Sequence, residues 1–220
     1  MISKSTITFL KELEQNNNRD WFLSNSLAYK EAKQNYTEFI QLVINKLSKK
    51  YKIYADLEAN KCLFRINRDV RFSQNKAPYK TNFGASINAY GKKSLKAGFY
   101  VHIEPKKSFV GGGIYMPPAD VLFKVRQEID YNFDEFSKII KHKDFVKSYG
   151  QLDMSDTLKN PPRGFDKENK AIEYLKLKSF VAFTNFTDKE IMQADFASVA
   201  SDKLIALLPF IQYLNKGLDV

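Results

Sequence analysis

Cysteine is almost missing from this chain. Cys62 is the single thiol, so no intramolecular disulfide framework can exist. Histidine is nearly as scarce. His102 and His142 with one cysteine cannot supply a Cys/His zinc finger. Glycine and proline are few, and they gather into no flexible linker and no repeat of fixed period. No apolar run approaches the roughly 18 residues of a membrane span. The stretch 1–9 lacks the charged-then-apolar layout of a secretory signal. These absences lead to the expectation of a soluble, cytoplasmic protein with no membrane association, one domain over residues 1–220, and a substantial core. Nothing calls for a cofactor, and the oligomeric state is not legible.

What is present is positive charge, unevenly spread. Residues 61–107 hold eleven Lys or Arg against Asp69 and Glu104, so this segment carries +9 of the formal net +10. Such asymmetry is the mark of an anion-binding surface, although a Lys-rich chain can also present a solvated basic face with no purpose.

Periodicity divides the chain into three parts. Phe9, Leu10 and Leu13 form a short helical stripe that the polar run Asn16-Asn17-Asn18 ends. Tyr29, Ala32, Tyr36, Phe39, Ile40, Val43 and Leu47 recur at helical spacing over 27–50. The period then falls to two, giving expected strands at 62–67, 83–90, 99–104 and 108–116, with connections short enough to favour antiparallel pairing. After Met116 helices return: Pro118 suits a first helical position, and Asn132 with Glu135 and Thr187 with Glu190 resemble capping pairs. A loop is expected at 150–165, a helix near 167–175 and a short strand at 180–184. A last helix is expected over 196–216, with Pro209 bending it and Gly217 closing it. The expected fold is α+β. A mainly antiparallel sheet from about 61–116, with the short strand near 180–184, has N- and C-terminal helices covering one face.

Alternation sorts the side chains of that sheet. Phe99, Val101 and Ile103 share one face, and Tyr100, His102 and Glu104 the other. Phe83, Ala85 and Ile87 point inward, Asn82, Ser86 and Asn88 outward. In 62–67, Cys62, Phe64 and Ile66 oppose Leu63, Arg65 and Asn67, and an extended chain would carry the polar row on to Asp69 and Arg71. Arg is preferred where planar, bidentate recognition of a carboxylate or phosphate is needed. Arg65, Arg68, Arg71, Lys76 and Lys80 are therefore candidates to hold an anion, with Asn67 and Tyr100 orienting it. The structural alternative is that Asp69 ties down Arg68 or Arg71. His102, Glu104 and Asp69 are the candidate acid–base groups, or ligands of a shared ion. A polar cluster of His102 with Tyr100 or Glu104 is the plainer reading.

Gly111-Gly112-Gly113 precedes a helix, but no Lys-Ser/Thr follows, so it is not a nucleotide P-loop. A bulge, or a close packing approach such as that of a ligand, accounts for it better. Trp21 reads as core. Arg163, on a Pro-braced loop, is a candidate clamp onto the basic face. The lysines of the turns, Lys92, Lys93, Lys96, Lys106 and Lys107, read as solvated.

Several stretches together resemble the uncharacterised bacterial and fungal family called domain of unknown function 2461. They are Asn-Arg-Asp-Trp-Phe (18–22), Arg-Ile-Asn-Arg-Asp-Val-Arg-Phe (65–72), Lys-Ala-Pro-Tyr-Lys-Thr-Asn-Phe-Gly-Ala (76–85), Tyr-Val-His-Ile-Glu-Pro (100–105), Phe-Val-Gly-Gly-Gly-Ile-Tyr-Met-Pro (109–117) and Pro-Pro-Arg-Gly-Phe (161–165). The resemblance implies a single-domain protein of this length and supplies no activity. Three functional hypotheses stand. The first is a protein, as binder or enzyme, that holds a phosphate-bearing or other anionic small molecule on the polar sheet face. The second is a nucleic-acid-binding module using 61–107 with its interleaved Phe72, Tyr79, Tyr90 and Tyr100. The third is a metal-assisted hydrolase using Asp69, His102 and Glu104.

Overall fold

Ser3 starts the first helix by accepting a hydrogen bond from the Thr6 amide in the computed structural model, which describes residues 1–218. The elements in chain order are α1 (Lys4–Gln15), α2 (Arg19–Ser24), α3 (Ser26–Lys50), a 3-10 turn (Lys52–Tyr54), α4 (Ala59–Cys62), β1 (Phe83–Ile87), β2 (Gly98–Ile103) and β3 (Ser108–Ile114). They continue with α5 (Ala119–Tyr131), α6 (Phe133–Ile140), α7 (Lys143–Tyr149), α8 (Ile172–Leu175), β4 (Phe180–Phe186), α9 (Asp188–Ile191) and α10 (Phe196–Lys216). The strands form one four-stranded antiparallel sheet in the order β1-β2-β3-β4, so the expected α+β class holds. Among the described residues no helix is long and apolar enough to cross a membrane.

The chain groups into two compact units. The first comprises 1–92, 100–110 and 185–202, and the second 93–99, 111–184 and the chain from Lys203 onward. In the first unit the helical stripe of α3 is buried as its spacing requires, through Tyr36, Phe39, Ile40, Val43 and Leu47. The fully buried Tyr36 hydroxyl donates to the Val101 carbonyl at 3.0 Å, which fastens α3 to the apolar face of β2. Phe39 stacks on Phe196 at 5.1 Å and Tyr36 on Phe83 at 5.4 Å. Asn35 Oδ1 accepts from the Ser3 amide and the Thr6 hydroxyl, tying α1 to α3.

In the second unit Phe136, Phe145, Phe210 and Tyr213 make the aromatic core. The buried Arg126 donates from Nη2 to the Leu177 carbonyl at 2.9 Å, while its Nε finds no partner among the described residues. Within β3, a methyl at Gly111 or Gly113 would overlap the carbonyl of Ala182 or Phe180 on β4. What packs against the triglycine is therefore neighbouring backbone, which only a missing Cβ admits.

Several local expectations change. No strand spans 62–67: α4 ends at Cys62, and single bridges pair Leu63 with Ala85 and Asn67 with Tyr79. Asn132 stands at the N-cap of α6 but its side chain makes no capping hydrogen bond, its side-chain amide donating to Glu128 Oε1 at 2.9 Å. Thr187 and Glu190 do form the capping box. The helix expected near 167–175 shrinks to α8, and Pro118 stands just before the first residue of α5. Trp21 is only partly buried, stacked on Phe9 at 6.0 Å. Gly217 follows α10 without a left-handed φ, and its missing side chain makes room for Glu128.

Candidate functional site

The site lies within the first unit, where three pieces of backbone converge on the polar face of β1 and β2. The chain after α4 runs beside β1: the Phe64 amide donates to the Gly84 carbonyl at 2.9 Å, and the Lys80 amide to the Ile66 carbonyl at 2.8 Å. Because this segment is a helix end followed by isolated bridges, it carries no strict two-residue alternation. Cys62, Leu63 and Ile66 are buried, while Phe64 and Arg65 are both exposed. Phe64, expected inward, instead lies on the polar face, its ring 6.2 Å from that of Tyr100.

At the centre is the pair of His102 and Glu104, two residues apart on one side of the β2 row. His102 Nε2 and Glu104 Oε2 are 3.0 Å apart. A carboxylate can only accept, so the proton lies on Nε2 and the lone pair on Nδ1. Two donors face that lone pair, the Tyr100 hydroxyl and the Asn82 amide, each at 3.4 Å. Both contacts are longer than a strong hydrogen bond, so the single lone pair of Nδ1 is only weakly engaged and a closer donor can take it. The imidazole stacks on Phe109 of β3 at 4.8 Å and 10°, which fixes the ring plane. Glu104 also accepts from the Thr81 hydroxyl at 3.1 Å and lies 3.6 Å from Lys107 Nζ.

Protonation follows from these surroundings. Burial holds the His102 pKa below its ordinary value, outweighing the Glu104 hydrogen bond and charge, which pull it up. Burial also pushes Glu104 upward, but the His102 hydrogen bond and charge, Lys107 and Thr81 together bring it below the usual range. Burial, and then the Glu104 charge, raise the Tyr100 pKa, so the phenol keeps its proton and serves as a donor. The result is a neutral imidazole backed by a carboxylate. That arrangement can take a proton from a hydroxyl placed at Nδ1.

Two lysines flank Phe64 on the same face. Lys80 Nζ and Lys92 Nζ each lie 5.5 Å from the centre of the Phe64 ring. Lys92 also donates to the Leu63 carbonyl at 2.7 Å, so it is not a merely solvated turn lysine. Burial, reinforced by the charge of Arg65, lowers the Lys80 pKa. Neither Lys80 nor Arg65 has a carboxylate within ion-pair distance among the described residues.

The remaining candidates lie elsewhere in their bonding. Arg68 reaches the Ala77 carbonyl and the Ser73 hydroxyl, at 3.1 and 3.3 Å. Asp69 takes two hydrogen bonds from the Arg71 guanidinium, at 3.0 and 2.7 Å, and both residues are solvent-exposed. That side-chain bond holds the Asp69 pKa below the usual range. Lys76 Nζ donates to the Val70 carbonyl at 3.1 Å. These four residues brace the loop 68–78, as the structural alternative foresaw for Asp69 and Arg71. Asn67 is exposed, and its backbone bridges Tyr79. Arg163 is exposed on a loop of the second unit. Among the described residues no three His, Cys, Asp or Glu side chains are grouped to hold a metal ion, so Asp69 does not join His102 and Glu104 as a ligand set.

The structure adds Thr81, Gly84, Phe109 and Lys107 to the site. A methyl at Gly84 would overlap the Tyr100 hydroxyl, so this glycine is what lets the phenol lie over β1 and face His102. One signal for Phe109 was legible, an aromatic at the outward register of a strand otherwise filled there by glycine.

Comparison with known proteins adds a family without a reaction. The family model described as "Conserved hypothetical protein (DUF2461)" matches residues 5–213, so the chain belongs to that family. No curated protein and no solved structure matches it.

Proposed function

We propose that this member of DUF2461 binds a small phosphate- or carboxylate-bearing ligand on the polar face, between the cations Arg65 and Lys80 and the pair His102–Glu104. One observation carries the reading. Lys80 is partly buried beside the positive field of Arg65, and neither cation forms a salt bridge among the described residues. An anion there relieves the repulsion and supplies the missing partner. Lys92 lies on the same ring of Phe64 and adds to the field. The reacting part of such a ligand would lie toward Nδ1 of His102. There the neutral imidazole accepts a proton, Glu104 stabilises the imidazolium that forms, and Tyr100 and Asn82 donate hydrogen bonds. That chemistry suits a ligand hydroxyl or a bound water beside the anionic group.

The experiment is a heteronuclear NMR titration with inorganic phosphate and pyrophosphate. His102 and His142 are the only two imidazoles in the chain, so each reports against the other. Saturable shifts at His102 and not at His142 are expected, with Arg65→Met and Lys80→Met each weakening binding by about ten-fold. If neither anion moves the His102 signals, or both variants bind as the parent does, the reading is wrong.

A further inference from the structure

Phe72 is 96% exposed, more than any other large apolar side chain among the described residues. It stands on the loop 68–78, whose backbone is locked from within. The Arg68 amide donates to the Pro78 carbonyl at 2.8 Å and the Ser73 amide to the Val70 carbonyl at 3.3 Å. The Asp69–Arg71 pair closes one side, Lys76 on the Val70 carbonyl crosses the middle, and Asn75 Oδ1 accepts from the Ala77 amide at 2.9 Å. The Arg71 guanidinium lies 5.8 Å from the centre of the Phe72 ring. These internal contacts give the loop a defined geometry that presents the ring to water.

We infer that this loop is a contact for single-stranded nucleic acid, with Phe72 as a platform on which one base stacks and the loop cations tracking the phosphates. The tip reads Arg71-Phe-Ser-Gln-Asn-Lys76, one ring among amides, a hydroxyl and cations. An apolar socket on a protein, or the acyl region of a bilayer, would have to bury Gln74, Asn75 and the Asp69–Arg71 pair along with that single ring. A stacked base needs only the ring face, and it leaves amides and cations at the level of the sugar and phosphate. The charge fits as well: the loop carries Arg68, Arg71 and Lys76 against Asp69 alone, within the segment that holds nearly all the net positive charge. This inference rests on residues separate from the His102 site and stands whether or not that site binds anions.

Fluorescence polarisation with labelled oligo-dT and oligo-U at low salt tests it. The full chain should bind at least one of them saturably, with affinity falling steeply as salt rises. Phe72→Ala should weaken binding by about ten-fold and Phe72→Trp should retain it. Because the ring is almost wholly solvated, neither change threatens folding. Binding of either oligonucleotide supports the inference, and their ratio tells whether the 2′-hydroxyl is read. It is overturned if neither binds, if Phe72→Ala binds as tightly as the parent, or if phosphatidylserine vesicles capture the protein while the oligonucleotides do not.

Discussion

On the sheet face, His102 and Glu104 are largely shielded from water, and each shifts the titration of the other. In the loop 68–78, Asp69 and Arg71 pair at a shorter distance but in open solvent. Both regions come from the one basic stretch 61–107, so composition does not separate them. Burial does. A partly buried pair resists screening and couples to pH, whereas an exposed pair contributes little to global stability and serves to shape its own few residues. The face is therefore where chemistry is to be sought, and the loop is a presentation device. Each substitution below either breaks that contrast or makes it sharper.

The largest effect is expected at Gly84, where an added Cβ meets the Tyr100 hydroxyl and ring. Gly84→Val forces its methyl groups against the Tyr100 ring and should cost about 1–3 kcal/mol of stability by overpacking. Denaturant midpoints measure this. In a Tyr100→Ala background the same change should cost clearly less, because the colliding ring is gone. Equal losses in both backgrounds would mean that the glycine serves the strand and not the phenol.

A smaller effect, visible only in its pH dependence, is expected at His102. Its folded pKa lies below that of the unfolded chain, about 6.5, so the unfolded state binds more protons in the window just beneath that value. Stability should therefore fall as pH drops through that window. Glu104, also lowered, adds a loss at more acid pH as it protonates. His102→Gln should flatten the first part of the profile and shrink the second, because the His102 hydrogen bond and charge are what chiefly lower Glu104. Glu104→Gln should lower the His102 pKa further, since the carboxylate was raising it. An unchanged His102 titration in Glu104→Gln would show that the 3.0 Å contact does not govern the imidazole.

How much of this was readable in advance depended on regular backbone. The row Tyr100, His102, Glu104 follows from strand alternation alone, and β2 obeys it. The row assigned to Arg65, Asn67, Asp69 and Arg71 required the chain to stay extended from residue 62. Instead α4 ends there, two single bridges follow, and the loop turns back on itself, so Phe64 joined the polar face while Asp69 and Arg71 left it. The α+β class was legible from the switch in period, and the helix over 27–50 from its stripe. Gly84 was not, and of Phe109 only the outward register was, because their roles arise from neighbours across the sheet that a single strand's pattern does not name. The pairing of Asp69 with Arg71 was legible as an alternative because the two lie two residues apart.

The smallest global effect is expected in the loop, and its smallness is the test. Asp69→Ala removes both guanidinium bonds and the carboxylate that accepts the Arg71 amide at 3.3 Å. Because this pair is solvent-exposed, the melting temperature should not move measurably. The loop itself should loosen, since three of its internal bonds end on that one carboxylate. Trypsin cleavage after Arg71 should then become faster in Asp69→Ala than in the parent, and high salt should narrow the gap by weakening the parent's own pair. Cleavage that is unchanged would leave the loop's shape to Arg68 and Lys76. A clear drop in melting temperature would place Asp69 with Glu104, as a charge on which the fold depends, and would erase the contrast between loop and face.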